Sequence, residues 1–118
     1  MSLSLASRRI GNAVVIDIAG ELTIYDEGLR EYARKFMDSG ERLLILNLAA
    51  VSYLDSAGLG KLVSLYVSVK NAAGDILLLA PGPRVRELLQ ITKLDTIFTI
   101  LDSEGTIRVS TSAASPGL

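Results

Sequence analysis

The sequence predicts an α/β domain: a mixed β-sheet with helices packed against it, in the order β-β-α-β-α-β-α-β. Three observations lead there. Residues 43–48 and 76–80 are mostly apolar runs of strand length. Other segments carry apolar residues at the spacing of a one-faced helix. The alternation of the two kinds implies parallel strands joined by right-handed crossovers.

Taken in order, Leu3, Leu5 and Ile10 suggest a first, weak strand, and Gly11-Asn12 is a turn signal. Residues 13–19 form a clearer strand, with Val14, Ile16 and Ile18 on one face and Val15, Asp17 and Ala19 on the other. The pair reads as an antiparallel hairpin. Gly20-Glu21-Leu22-Thr23 reads as a loop. Leu29, Tyr32, Ala33, Phe36 and Met37 recur at helical spacing, with Asp26 as N-cap, Glu27 in the first turn and Ser39-Gly40 as the stop. After the strand at 43–48 comes a short loop. A second helix then runs from about Ala57 to about Ala73, closing at Gly74. Its apolar stripe is Leu59, Leu62, Val63, Tyr66 and Val67, while Leu65, Val69 and Ala73 lie off it, where the third helix is expected to cover them. Strand 76–80 leads to the turn Pro81-Gly82-Pro83, with Pro83 placed to start a helix whose inner face is Val85, Leu88 and Leu89. Residues 97–101 are the last strand. Residues 102–109 are poor helix material, because Gly105 and β-branched residues weaken it, and suit one helical turn or a short extended piece. Residues 110–118 are small, polar and Pro/Gly-containing, and read as a disordered tail behind a single domain at 1–109.

Composition narrows the function. The 118 residues suit one domain, and 49% hydrophobic against 21% charged content is that of a soluble globular chain. Without cysteine there is neither a disulfide framework nor a thiolate metal site, and without histidine there is no Ser-His-Asp catalysis and no His-ligated zinc. Neither a catalytic residue, a metal nor a cofactor is expected. A net charge of −1 with no basic run argues against nucleic acid. No stretch suits membrane insertion, and no secretory signal opens the chain. The expected compartment is the cytoplasm.

The stretch that promises function is Leu54-Asp55-Ser56-Ala57-Gly58-Leu59-Gly60. Ser56 falls at a helix entrance, where Ser and Asp cap free N–H groups and where the helix dipole favours an anion. Capping alone explains Asp55 and Ser56 as a pair. It does not explain two glycines in the first turn, each worth roughly 1 kcal/mol against Ala. Gly58 and Gly60 suit either loop geometry or close approach by a partner. An enzyme reading is weak: a nucleophile elbow needs Gly where Leu54 stands, and a phosphate loop needs Ser or Thr where Leu62 follows Gly60-Lys61.

These residues, preceded by Asn47-Leu48-Ala49-Ala50-Val51-Ser52-Tyr53, resemble the signature of STAS domains, and more narrowly that of bacterial anti-sigma factor antagonists. Gly20-Glu21-Leu22 resembles the family's Gly-Glu-Leu after its second strand, and residues 88–98 resemble its third helix and last strand. The resemblance implies a STAS-like mixed sheet and a phosphoacceptor at Ser56. It implies an anti-sigma factor serine/threonine kinase as partner, bound by the unphosphorylated form so that the sigma factor is released, with a phosphatase to reset the switch. A phosphate of about −1.5 to −2 charge beside Asp55 would repel that partner. The contact set expected is Glu21, Thr23, Asp55, Ser56, Ala57, Gly58, Leu59, Gly60, Lys61 and Ser64. Asp55 is read either as the cap or as a group that orients Ser56. The alternative within the fold is a non-switching scaffold module of a stress-signalling or lipid- or anion-transport assembly. The chain is expected to be a monomer or a weak dimer through the first strand's edge.

Two departures from the family pattern stand out. Thr23 stands where Asp is common, near the phosphorylation site. Lys93 stands where Gly is usual; if the backbone turns left-handed there, Lys costs roughly 1–2 kcal/mol.

Overall fold

The computed structural model describes residues 3–23, 28–105 and 107. The elements are β1 (Leu3–Ile10), β2 (Ala13–Leu22), α1 (Gly28–Asp38), β3 (Leu43–Leu54), α2 (Ser56–Asn71), β4 (Asp75–Leu79), α3 (Pro83–Ile91), a 3₁₀ turn (Leu94–Thr96) and β5 (Thr99–Leu101). The sheet order is β1-β2-β3-β4-β5. The β1–β2 pair is antiparallel and every later neighbour is parallel. That is the anticipated order and the anticipated mixed sheet. The N-cap expected at Asp26, the first-turn Glu27 and the tail at 110–118 lie outside the described residues.

The sheet's two faces differ. On one, Val14, Ile16 and Ile18 of β2 and Leu44 and Leu46 of β3 join Leu29 and Ala33 of α1, Leu62 and Leu65 of α2, and Val85 and Leu89 of α3 in the main core. Fully burying each such side chain is worth roughly 1.5–3 kcal/mol. On the other face a smaller cluster unites Ala13, Val15, Ile45, Leu79 and Leu101, closed by Ile107. Beside it Asp17 accepts from Arg8 Nε at 2.7 Å and from Asn47 Nδ2 at 2.7 Å. Arg8 also donates to Glu104. The Arg8 guanidinium holds the Asp17 carboxyl below its ordinary range, with Asn47 adding to the effect. Glu104, Gly105 and Ile107 are helical, so the expected weak segment is helical in part, held by the Arg8–Glu104 and Arg86–Asp102 ion pairs and by buried Ile107.

Several boundaries depart from expectation. The supposed loop at Gly20-Glu21-Leu22 is strand, and so are residues 49–54, because β2 and β3 keep pairing as far as Leu22↔Leu54. Register shifts after Asp17 and Gly20 absorb the irregularity, with Gly20 at φ 107°. Helix α2 starts one residue early, at Ser56, and stops at Asn71. Its left-handed closing residue is Ala73, at φ 63°, not Gly74. The N–H groups of Ala73 and Gly74 return to Lys70 O and Val69 O at 3.0 and 2.9 Å, a Schellman ending. Gly74 is needed for space instead: a Cβ there would lie 2.8 Å from Met37 Cε and 3.0 Å from Arg42 O.

The apolar stripe of α2 is also rotated from the expected one. Leu59, Leu62, Leu65 and Val69 are buried, whereas Val67 is half exposed. The neighbour that lines a cleft with Leu65 and Val69 is α1, through Arg30, Arg34 and Met37, rather than α3. A run this apolar has no unique stripe by periodicity alone. Strand β5 begins at Thr99, since the 3₁₀ turn takes the chain to Ile97 and buries Phe98. Lys93 does turn left-handed, at φ 64°.

Candidate functional site

The ends of β2 and β3 create the site. Pairing of Leu22 with Leu54 sets Glu21-Leu22-Thr23 beside Leu54-Asp55-Ser56. The chain then turns into α2, and Asp55, extended at φ −102°, caps it: its Oδ1 accepts from Gly58 N–H at 2.8 Å. Its main-chain oxygen accepts from Leu59 N–H at 2.9 Å. The capping role anticipated for this pair therefore falls to Asp55. Ser56 is the first helical residue and is exposed. Its hydroxyl is displayed where the helix's free N–H groups and dipole create positive potential.

The two glycines separate cleanly. A Cβ on Gly58 would meet Leu22 O at 2.0 Å and Leu54 Cδ1 at 2.9 Å. Gly58 lets the first turn of α2 lie against the end of β2, so it is a packing residue and not a contact for a partner. On Gly60 a Cβ would meet nothing within 4 Å. Leu59 is likewise withdrawn from the expected contact set, because it is 7% exposed and belongs to the core. Helical geometry explains both: Gly58 and Leu59 face the sheet, while Ser56 and Gly60, four apart, share the outer side.

Of the remaining candidates, Glu21 is exposed, and Thr23, Ala57, Lys61 and Ser64 are half-buried. The Lys61 ammonium Nζ is buried and has no hydrogen-bond partner among the described residues. Among the described residues no group of His, Cys, Asp and Glu is placed to hold a metal ion.

One feature was missed by the sequence reading. A groove runs alongside, between residues 49–54 of β3 and helix α3, with Tyr53 and Ile91 on its walls. Tyr53 is 52% and Ile91 68% exposed. The signal available was Ile91 itself, a large apolar residue between Gln90 and Thr92 and off the inner face of its helix.

A family model described as STAS domain matches residues 4–107. The chain is 34% identical to the anti-sigma-B factor antagonist of Bacillus subtilis over 110 residues, 92% of this chain and 100% of the relative. It is 36% identical over 69 residues to a Thermotoga neapolitana relative, of whose length it spans 61%. Among solved structures, one from Thermotoga maritima superposes with a TM-score of 0.81 at 25% identity, covering 90% of this chain and 92% of that one. The Bacillus cell fate determinant SpoIIAA in its phosphorylated form gives 0.66 at 26% identity, covering 90% and 96%.

Proposed function

The chain belongs to the STAS domain family, and from that premise we propose that it is an anti-sigma factor antagonist switched by phosphorylation of Ser56. Full-length likeness to the Bacillus subtilis antagonist supports the role. The likeness to a relative solved in phosphorylated form supports the switch. The single observation that carries the site is that Ser56 is exposed at the first position of α2 while Asp55 does the capping. Its hydroxyl is thus available to react without unmaking the helix.

The unphosphorylated protein binds an anti-sigma factor serine/threonine kinase in the cytoplasm and frees the sigma factor. It contributes no catalytic group; it is the kinase's protein substrate. In the transfer, Ser56 Oγ forms a bond to the γ-phosphorus of ATP, the bond to the bridging oxygen breaks, ADP leaves, and the hydroxyl proton passes to a base on the kinase. The product gains about −1.5 to −2 charge at an N-terminus that tolerates it. What it does not tolerate is the partner's surface, which packed around a neutral alcohol flanked by Glu21, Thr23, Ala57, Gly60, Lys61 and Ser64. A phosphatase restores binding.

The test is to incubate the protein with the anti-sigma factor kinases of its source organism and ATP, and to map phosphate by mass spectrometry. One phosphate on Ser56, none on the Ser56→Ala variant, and kinase binding lost in Ser56→Asp are expected. Phosphate only at another residue, or equal binding of wild type and Ser56→Asp, overturns the proposal.

A further inference from the structure

Strand β3 outruns its neighbour. Its pairing with β4 ends at Asn47↔Leu79, whereas its pairing with β2 continues to Leu54. Between Ala49 and Leu54, the side of β3 facing away from β2 has no strand beside it among the described residues, and no other backbone–backbone bond takes its place. Among the described residues, Ala49 N–H alone is met on the spot, by Asn47 Oδ1 at 3.1 Å. The cause lies in the chain after β4. Ala80 turns left-handed at φ 54°, Pro81 and Gly82 leave the sheet, and α3 starts across a gap. That gap is the groove between β3 and α3, about 760 Å³ in volume.

An open strand edge invites another strand unless charge, proline or a bulge blunts it. The edge strand β1 carries Arg8 and Arg9. The stretch Ala49-Ala50-Val51-Ser52-Tyr53-Leu54 carries no charge and no proline. The extra residues that β3 holds against β2, between Asn47 and Ala50 and between Val51 and Tyr53, bend it but leave this side without a paired strand among the described residues. Across the groove, α3 presents Ile91 together with Arg84 and Glu87, which have no ion partner among the described residues. The wall thus offers backbone hydrogen-bonding groups, an apolar clamp and one charge of each sign.

We propose that this groove receives an extended segment of a partner protein, which adds a strand to the free edge of β3. Alternate residues of such a segment point to opposite faces, so one apolar set enters between Tyr53 and Ile91. An acidic residue of the segment faces Arg84 and a basic one faces Glu87. The chain's own residues 108–118 suit it poorly, having Val109 and Leu118 as their large apolar side chains and Pro116-Gly117 between. The proposal deepens the proposed function and rests on it for the partner's identity, the anti-sigma factor. Leu54 ends the edge and Ser56 stands two residues on, so a phosphate there acts directly on a docked segment.

Two experiments test it. In the first, amide NMR follows the whole chain as it is titrated with the acetylated, amidated peptide Lys-Val-Thr-Val-Thr-Val-Glu. A control peptide has Pro in place of the central Val. Saturable shifts confined to residues 49–54 and α3 are expected, absent with the Pro peptide and weakened about tenfold or more in folded Ile91→Glu. No shift at millimolar peptide, or equal binding of the Pro peptide, overturns the groove. In the second, hydrogen exchange is measured with the kinase that modifies Ser56. Protection reaching residues 49–54 is expected. Protection confined to 56–64 overturns the groove and leaves the proposed function standing. Peptide capture without any kinase binding supports the groove and removes the proposed function.

Discussion

The two sides of the first turn of α2 are a few residues of one helix, yet they obey opposite rules. The inner side is fully committed. Asp55 Oδ1 holds Gly58 N–H, Gly58 lies against Leu22 O, and Leu59 enters the core. On the outer side Ser56 is exposed, and Gly60 has open space where a side chain would be. The difference teaches what a family motif contains. Asp55, Gly58 and Leu59 build the platform; Ser56 and Gly60 are what it displays.

The largest effect should come from forcing the inner side apart. Gly58→Ala places a methyl group 2.0 Å from a backbone oxygen that pairing of β2 with β3 holds in place. Overpacking of that kind costs about 3 kcal/mol or more. For a domain of this size a drop in Tm of roughly 10 °C or more is expected by thermal unfolding. An unchanged Tm would mean that the two strand ends and α2 are not held as described.

Asp55 comes next. Asp55→Ala removes the cap and should cost about 1 kcal/mol, measured by urea unfolding. Asn caps as well as Asp, so Asp55→Asn should keep the stability. It therefore isolates any second role. If Asp55→Asn is phosphorylated on Ser56 at the wild-type rate, the carboxylate has no part in orienting the hydroxyl.

Gly60 reverses the sign. With no atom in the way, Gly60→Ala should stabilise the helix by up to about 1 kcal/mol. A bulkier Gly60→Leu should fold while losing affinity for the kinase. Should Gly60→Leu bind as tightly as wild type, the outer side would not be the contact surface there.

These contrasts also show how far the sequence could be read. Periodicity located the strands and helices, and the separate faces of Val14-Ile16-Ile18 and Val15-Asp17-Ala19 held. It failed where partners decide the outcome. Nothing local in Gly20-Glu21-Leu22 announces a strand, because that strand exists only through its pairing with Val51, Tyr53 and Leu54. Leu65 and Val67 are equally apolar, and only the sheet beneath selects Leu65. The left-handed turn at Lys93 was raised only by the family's usual Gly at that place, and at the end of α2 Ala73, not Gly74, takes that conformation. At the site, the place of Ser56 at the entrance of α2 was legible. The inward turn of Gly58 and Leu59 was not, since it depends on how the helix rolls against β2.

The smallest effect belongs to the opposite face of the sheet, where the contrast with the bare Ser56 surface is greatest. There the charges are paired: Asp17 accepts from Arg8 and Asn47, and Arg8 reaches on to Glu104. Its folded-state acidity is therefore enhanced, chiefly by Arg8. A carboxyl shifted downward on folding gives stability that is fully present above its unfolded value, near 3.9. That stability fades as pH falls through the lower folded value. The pair's side chains are 37% and 35% exposed, so solvent screening keeps the gain small. Urea titrations from neutral pH down toward pH 2 should show wild type losing slightly more stability than Asp17→Asn. The two should converge at the acid end, where Asp17 is neutral in both states. A parallel pair of curves would mean that Arg8 contributes packing to this face and no net charge interaction. The opposite faces would then differ in shape alone.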